Sequence, residues 1–276
     1  MSMGKSAKAW PGGARIASRG RYYLQISSVR FISTRGVLRT VRRVTLMNDL
    51  IGVGLYTPAE ASRLLHIPAS RIFRWLRGHE AAGKQYEPLW DPEVTLDDGR
   101  LVLGFRDLME ARVADAFIRQ GVSAIRVRAA IKLAREIIKQ SHPLSTNRFL
   151  TEGREIFLHV IEEDDDGNQT ERLLNLFKRQ YEFKGVLEPI LKTVDFGADG
   201  LPKMWWPAGR QVNIVVDPER SFGAPIDGET SIPTAVLASA VRLMGEVDAA
   251  KAYEAPISAV RRALEFEERL EQRLAA

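Results

Sequence analysis

Residues 57–78 leave the chain little freedom. Thr57-Pro58-Ala59-Glu60 is a helix start. The Thr57 hydroxyl is suited to accept from the Glu60 amide, the Glu60 carboxylate to accept from the Thr57 amide, and Pro58 stands at the first helical position, where its missing N–H costs nothing. Ala61, Leu64 and Leu65 follow at helical spacing, and Ile67-Pro68 then forces a turn. A second short helix is expected over about 69–77, closed by Gly78. On it, Ile72, Trp75 and Leu76 share one face; Ser70, Phe73, Arg74 and Arg77 project from the other, with Arg71 on the flank.

Two short helices with a tight turn, the second apolar inside and arginine-bearing outside, suit a reader of the DNA major groove. That groove admits one helix, and Arg is the commonest bidentate partner of guanine. Between residues 63 and 84, Arg63, Arg71, Arg74, Arg77 and Lys84 are opposed only by Glu80. The plainer alternative is a helical hairpin whose arginines are merely solvated. The stretch Thr95-Leu96-Asp97-Asp98-Gly99-Arg100-Leu101-Val102-Leu103 reads as a β-hairpin around an Asp-Gly turn. Placed after such a helix pair it would be a wing, with Arg100 at its tip near the phosphates. Amphipathic helices are expected from Phe105 to Arg119, stopped by Gly121, and from Ser123 to about Lys139.

The motifs Tyr56–Leu65, Arg71–Leu76, Phe105-Arg106-Asp107-Leu108 and Gln120–Arg126 resemble the MerR-like winged helix-turn-helix family. The resemblance covers about a third of the chain and implies binding of double-stranded operator DNA as a homodimer. It assigns Ser70, Arg71, Phe73, Arg74, Arg77, Lys84 and Arg100 to the DNA. Ligand-sensing members carry cysteine ligands and a long dimerising coiled coil; this chain has no cysteine, and no such coil follows.

Charge divides the chain further. Residues 1–47 hold ten basic side chains and no acidic one; residues 141–276 hold 16 basic against 23 acidic. The leader 1–47 reads as a transit-type segment, a basic arm, or translated sequence upstream of a start at Met47, the last being favoured. Residues 48–140 then form the DNA-binding unit, 141–210 an α/β connecting segment, and 211–276 a C-terminal helical domain. In the connecting segment Glu155–Ile161 is β-prone, and Glu188-Pro189 onward looks like strand and loop. The acidic run from Glu162 fails as a calcium loop, because the closing glutamate would have to stand at Leu173.

The expected fold class is mainly α with small β elements, ending in a three-helix bundle with a short strand. In the last segment a strand over Val212–Val216 is expected, then a helix from Pro233 through Leu243 broken by Gly245, a short one over Val247–Tyr253, and a last one opened by Pro256. Ile214–Glu219, Phe222–Ile226, Thr230–Thr234 and the Pro256–Leu264 helix start resemble a C-terminal domain common in type II antitoxins of the VapB-like kind. That resemblance implies a small PIN-like ribonuclease toxin as partner and repression of the chain's own operon. On the last helix Phe266, Leu270 and Leu274 form an apolar strip beside Arg273, a candidate surface for toxin binding or dimerisation, with packing on the chain's own domain the equal alternative. The alternative reading is a stand-alone regulator answering a small molecule.

Catalysis is not expected. His66, His79, His142 and His159 lack metal-ligand spacing, and there is no phosphate loop, dinucleotide fingerprint or nucleophile elbow. No cofactor or metal is expected. No apolar run approaches the ~20 residues needed to cross a bilayer, so a cytoplasmic protein without membrane contact is expected.

Overall fold

The computed structural model describes residues 52–162 and 180–275. The leader 1–47 and most of the acidic run after Glu162 lie outside the described residues, as do the side chains of Arg273 and Leu274. The described chain is mainly helical, with a two-stranded and a four-stranded sheet.

Helix α1 (Pro58–Leu65) starts at the expected capping box: the Thr57 hydroxyl accepts from the Glu60 amide at 3.2 Å, and the Glu60 carboxylate accepts from the Thr57 amide at 2.8 Å. After the turn at Ile67-Pro68 comes α2 (Ala69–Arg77), whose Ile72, Trp75 and Leu76 are buried. Gly78 ends it at φ +69°, where a Cβ would stand 2.4 Å from the Tyr86 carbonyl oxygen. Only glycine meets both demands.

The hairpin is not where the sequence suggested. Strands β1 (His79–Ala81) and β2 (Lys84–Tyr86) pair antiparallel directly after α2, with Ala82 and Gly83 at φ 50° and 70° between them. Two positive φ values are what a two-residue hairpin turn demands. Residues 95–103 form no strand; only Leu103 bridges, and its partner is Tyr56 ahead of α1. The Asp-Gly signal made a turn there, with the Gly99 amide donating to the Leu96 carbonyl, but the flanking residues found other partners.

Helices α3 (Phe105–Arg119) and α4 (Ala124–Ile138) follow, then a single 3-10 turn (Pro143–Ser145). Asp107 holds this region together. Its fully buried carboxylate accepts from the Gly104 amide (2.8 Å), the Glu93 amide (2.9 Å) and the Trp90 indole N–H (2.8 Å), and His142 Nε2 lies 2.8 Å away. One turn on, Glu110 accepts from the Leu144 and Ser145 amides at 3.2 and 2.9 Å. Burial pushes Glu110 up to about 7. Burial also opposes a proton on His142, but the hydrogen bond to Asp107 and the nearby carboxylates outweigh it and hold His142 above its ordinary value.

Two expectations for the connecting segment are overturned. Residues 155–161 belong to a helix, α5 (Phe149–Glu162), because Phe149, Ile156, Phe157 and Val160 lie on one face and are buried. There Phe149 and Phe157 cluster with Phe117 and with Phe183 of α6 (Gln180–Leu191). Pro189 does not begin a loop; it sits in the last turn of α6, where one lost hydrogen bond is tolerable.

The strands β3 (Val194–Phe196), β4 (Pro202–Trp205), β5 (Ile214–Val216) and β6 (Pro225–Asp227) form one antiparallel sheet in that order. The sheet takes strands from both sides of residue 210, so segments 141–210 and 211–276 share it. Helices α7 (Thr234–Met244), α8 (Glu246–Ala252) and α9 (Ile257–Ala275) complete the chain around a small core of Leu237, Ala240, Ala249, Val260 and Ala263. Asp227 closes β6 from a fully buried position. Burial works against its charge, but Arg262, the Thr230 amide and the Thr230 hydroxyl prevail and hold it below the usual carboxylate range.

Candidate nucleic-acid interface

Helix α2 stands on a buried base. Ile72, Trp75 and Leu76 join the core that contains Ala61, Leu64, Leu108 and Trp90, so its outward residues are fixed in direction by packing. Ser70, Phe73, Arg74 and Arg77 are all exposed, Phe73 by 50% despite being wholly apolar. Arg74 makes no hydrogen bond or ion pair among the described residues. A cation and an aromatic ring left free on a rigid helix are available to a ligand.

The other predicted residues divide. Arg77 donates to the Gly99 carbonyl, which brings the 97–100 turn beside the end of α2. Arg100 on that turn is exposed but paired with Asp98 at 2.6 Å, so its charge is largely answered locally. Arg71 reaches back to the buried Asp115 at 3.3 Å and is half-buried. Lys84 stands free on the true hairpin, next to its turn.

The sequence reading missed one side of this surface. A cavity of about 400 Å3 lies between α2, the hairpin and the start of α4, with Arg74, His79, Tyr86, Ser123, Ile125 and Arg128 among its walls. The His79 and Tyr86 rings stack at 4.8 Å with 11° between planes. Arg128 donates through Nε to the Pro88 carbonyl at 3.0 Å. Ser123 caps α4, its hydroxyl accepting from the Arg126 amide at 3.2 Å, so the positive end of a helix dipole opens on the same side.

The C-terminal strip is corrected. Phe266 and Leu270 are 4% and 5% exposed and belong to the chain's own main core. They are not available to another molecule, because α9 packs inward across the sheet and α7. Its Glu267 accepts from the Thr234 hydroxyl and pairs with Arg63 of α1 at 2.9 Å. The exposed apolar side chains of this end instead include Leu243 (84%), Met244, Val247, Tyr253 and Ile257, on α7, α8 and the start of α9. Among the described residues no cluster of His, Asp and Glu could hold a metal ion, and no helix is long and apolar enough to cross a membrane.

No family model matches the chain. The crystal structure of Rv2018 from Mycobacterium tuberculosis is 26% identical, with a TM-score of 0.62 over 78% of this chain and 99% of that one. A protein of Mycobacterium tuberculosis (strain ATCC 25618 / H37Rv) named "Putative antitoxin VapB45" is 32% identical over 188 residues, which are 63% of this chain and 77% of the relative. By that likeness, over most of the relative's length, the chain belongs to the VapB45 family.

Proposed function

We propose that this protein is the antitoxin of a type II toxin–antitoxin pair. It neutralises a small PIN-like ribonuclease and represses its own operon by binding operator DNA. The observation that carries the DNA half is the free outer face of α2, with Ser70, Phe73 and Arg74 exposed over a buried Ile72-Trp75-Leu76 base. The β1–β2 hairpin that follows takes the place of a MerR-like wing, with Lys84 beside the phosphates. Two copies would set their α2 helices in successive major-groove faces roughly 34 Å apart.

Kinship with VapB45 supports the antitoxin half. The toxin is received by the exposed Leu243, Met244, Val247, Tyr253 and Ile257 rather than by Phe266 and Leu270. Exposed large apolar side chains gathered on neighbouring helices are a usual mark of a protein contact.

The test is co-expression with the adjacent reading frame. A small nuclease that co-purifies with the wild type, and is lost with Leu243→Glu while the protein stays folded, supports the reading. If no nuclease co-purifies and the protein grips no sequence from its own upstream region, the reading fails.

A further inference from the structure

A second cavity, of about 260 Å3, lies between the end of α1, α3 and the sheet, with Leu65, Ile67, Arg112, Asp115, Arg119 and Trp205 among its walls. Its chemistry is one-sided. The Arg112 guanidinium carbon lies 4.4 Å from the Trp205 ring centroid, and Arg112 donates only to neutral groups: the Thr193 hydroxyl at 3.1 Å, the Ile190 carbonyl at 3.4 Å and the Met109 sulfur at 3.5 Å. No carboxylate pairs with it among the described residues. Arg112 is half-buried, and a cation partly withdrawn from water without a counter-ion is costly. Its effect is visible in Arg112, which burial pulls down to about 9.

Trp205 repeats the pattern. Its indole N–H is buried and has no hydrogen-bond partner among the described residues. The N–H groups of Trp90 and Trp206 both find carboxylates, Asp107 and Asp195, at 2.8 Å. A buried donor left without an acceptor is destabilising, and an acceptor brought to it would relieve that. The one carboxylate on the walls, Asp115, is already claimed by Arg119 at 2.5 Å and Arg71 at 3.3 Å. Donors and positive charge are in surplus.

We propose that this cavity binds a small free oxyanion, a carboxylate or phosphate of metabolite size, held by the Arg112 guanidinium and the Trp205 indole N–H. A charge-assisted bond to each would answer both deficits at once. The volume falls just under the range of about 300–1,000 Å3 usual for drug-sized ligands, which suits a compact anion. His66 and Ile67, the turn on which α2 stands, form another wall. Resting on the DNA-binding reading above, occupancy would therefore tune operator affinity.

The test titrates the full-length protein with inorganic phosphate and with succinate, each against sodium chloride of matched ionic strength. Thermal midpoint and tryptophan fluorescence are the readouts. The expected result is a saturable response to at least one anion. It should weaken about tenfold or more in Arg112→Met and more mildly in Trp205→Phe, which removes the N–H and keeps the ring. If Arg112→Met does not fold, Trp205→Phe decides. A response no different from chloride overturns the site, as does binding that persists unchanged in the variants. Operator affinity unmoved by a saturating anion overturns the regulatory half. Failure of the untreated protein to bind DNA overturns the earlier reading instead, and the anion titration is then judged alone.

Discussion

Helices α2 and α9 present the same problem and resolve it in opposite ways. Each is amphipathic, and each has a face that the sequence offers to another molecule. On α2 the offered face is outside: Phe73 and Arg74 stay exposed because Ile72, Trp75 and Leu76 already fill the core on the far side. On α9 the offered strip is inside, because Phe266 and Leu270 are the side that packs. A helix offers a partner what remains after its own core is satisfied. Charge marks the solvent side with confidence, whereas an apolar strip marks only the buried side, whoever buries it.

The contrast yields a graded set of outcomes. The largest concerns the buried strip: Phe266→Ala should cost about 3–5 kcal/mol of unfolding free energy, read from urea midpoints. A loss under about 1 kcal/mol would mean α9 is not held as described. The next concerns the polar core between α3 and the 143–145 turn. Glu110 has a folded value of about 7, above the ordinary carboxylate value of 4.5, so the folded state holds its proton more tightly than the unfolded one. Its contribution is therefore full below 4.5 and is lost as pH rises through 7. That shift corresponds to about 3 kcal/mol at most. Raised His142 acts in the same direction. Stability measured between pH 4.5 and 8 should fall toward the alkaline end beyond the trend of Glu110→Gln, and parallel curves would refute the buried carboxyl. The smallest effects belong to the exposed patches. Phe73→Ala and Leu243→Glu should each change stability by no more than about 0.5 kcal/mol.

Much of the fold was legible because it is written locally. The Thr57–Glu60 capping box, the stop at Gly78, and the helix starts at Ser123, Pro233 and Pro256 depend on neighbours a few residues away. The misplaced hairpin shows the limit. His79-Glu80-Ala81 and Lys84-Gln85-Tyr86 contain no β-branched residue, and Tyr86 alone favours a strand, while Leu101-Val102-Leu103 reads as one and forms none. Residues 155–161 failed for a related reason: a dense apolar run carries both periods, and only the phenylalanines of α3 and α6 select the helix. The polar network of Asp107, Glu110 and His142, and the meeting of Arg112 with Trp205, join residues far apart in the chain. No spacing rule reaches that far.

The DNA-binding proposal for α2 depends on Arg74 being free to meet a duplex. Gel-shift titration of the upstream operator with wild type and Arg74→Ala, at two salt concentrations and with matched urea midpoints, tests this directly. The expected result is an affinity loss of about 1–3 kcal/mol with unchanged stability. Equal affinity in the two proteins would contradict it and move the DNA contact away from α2.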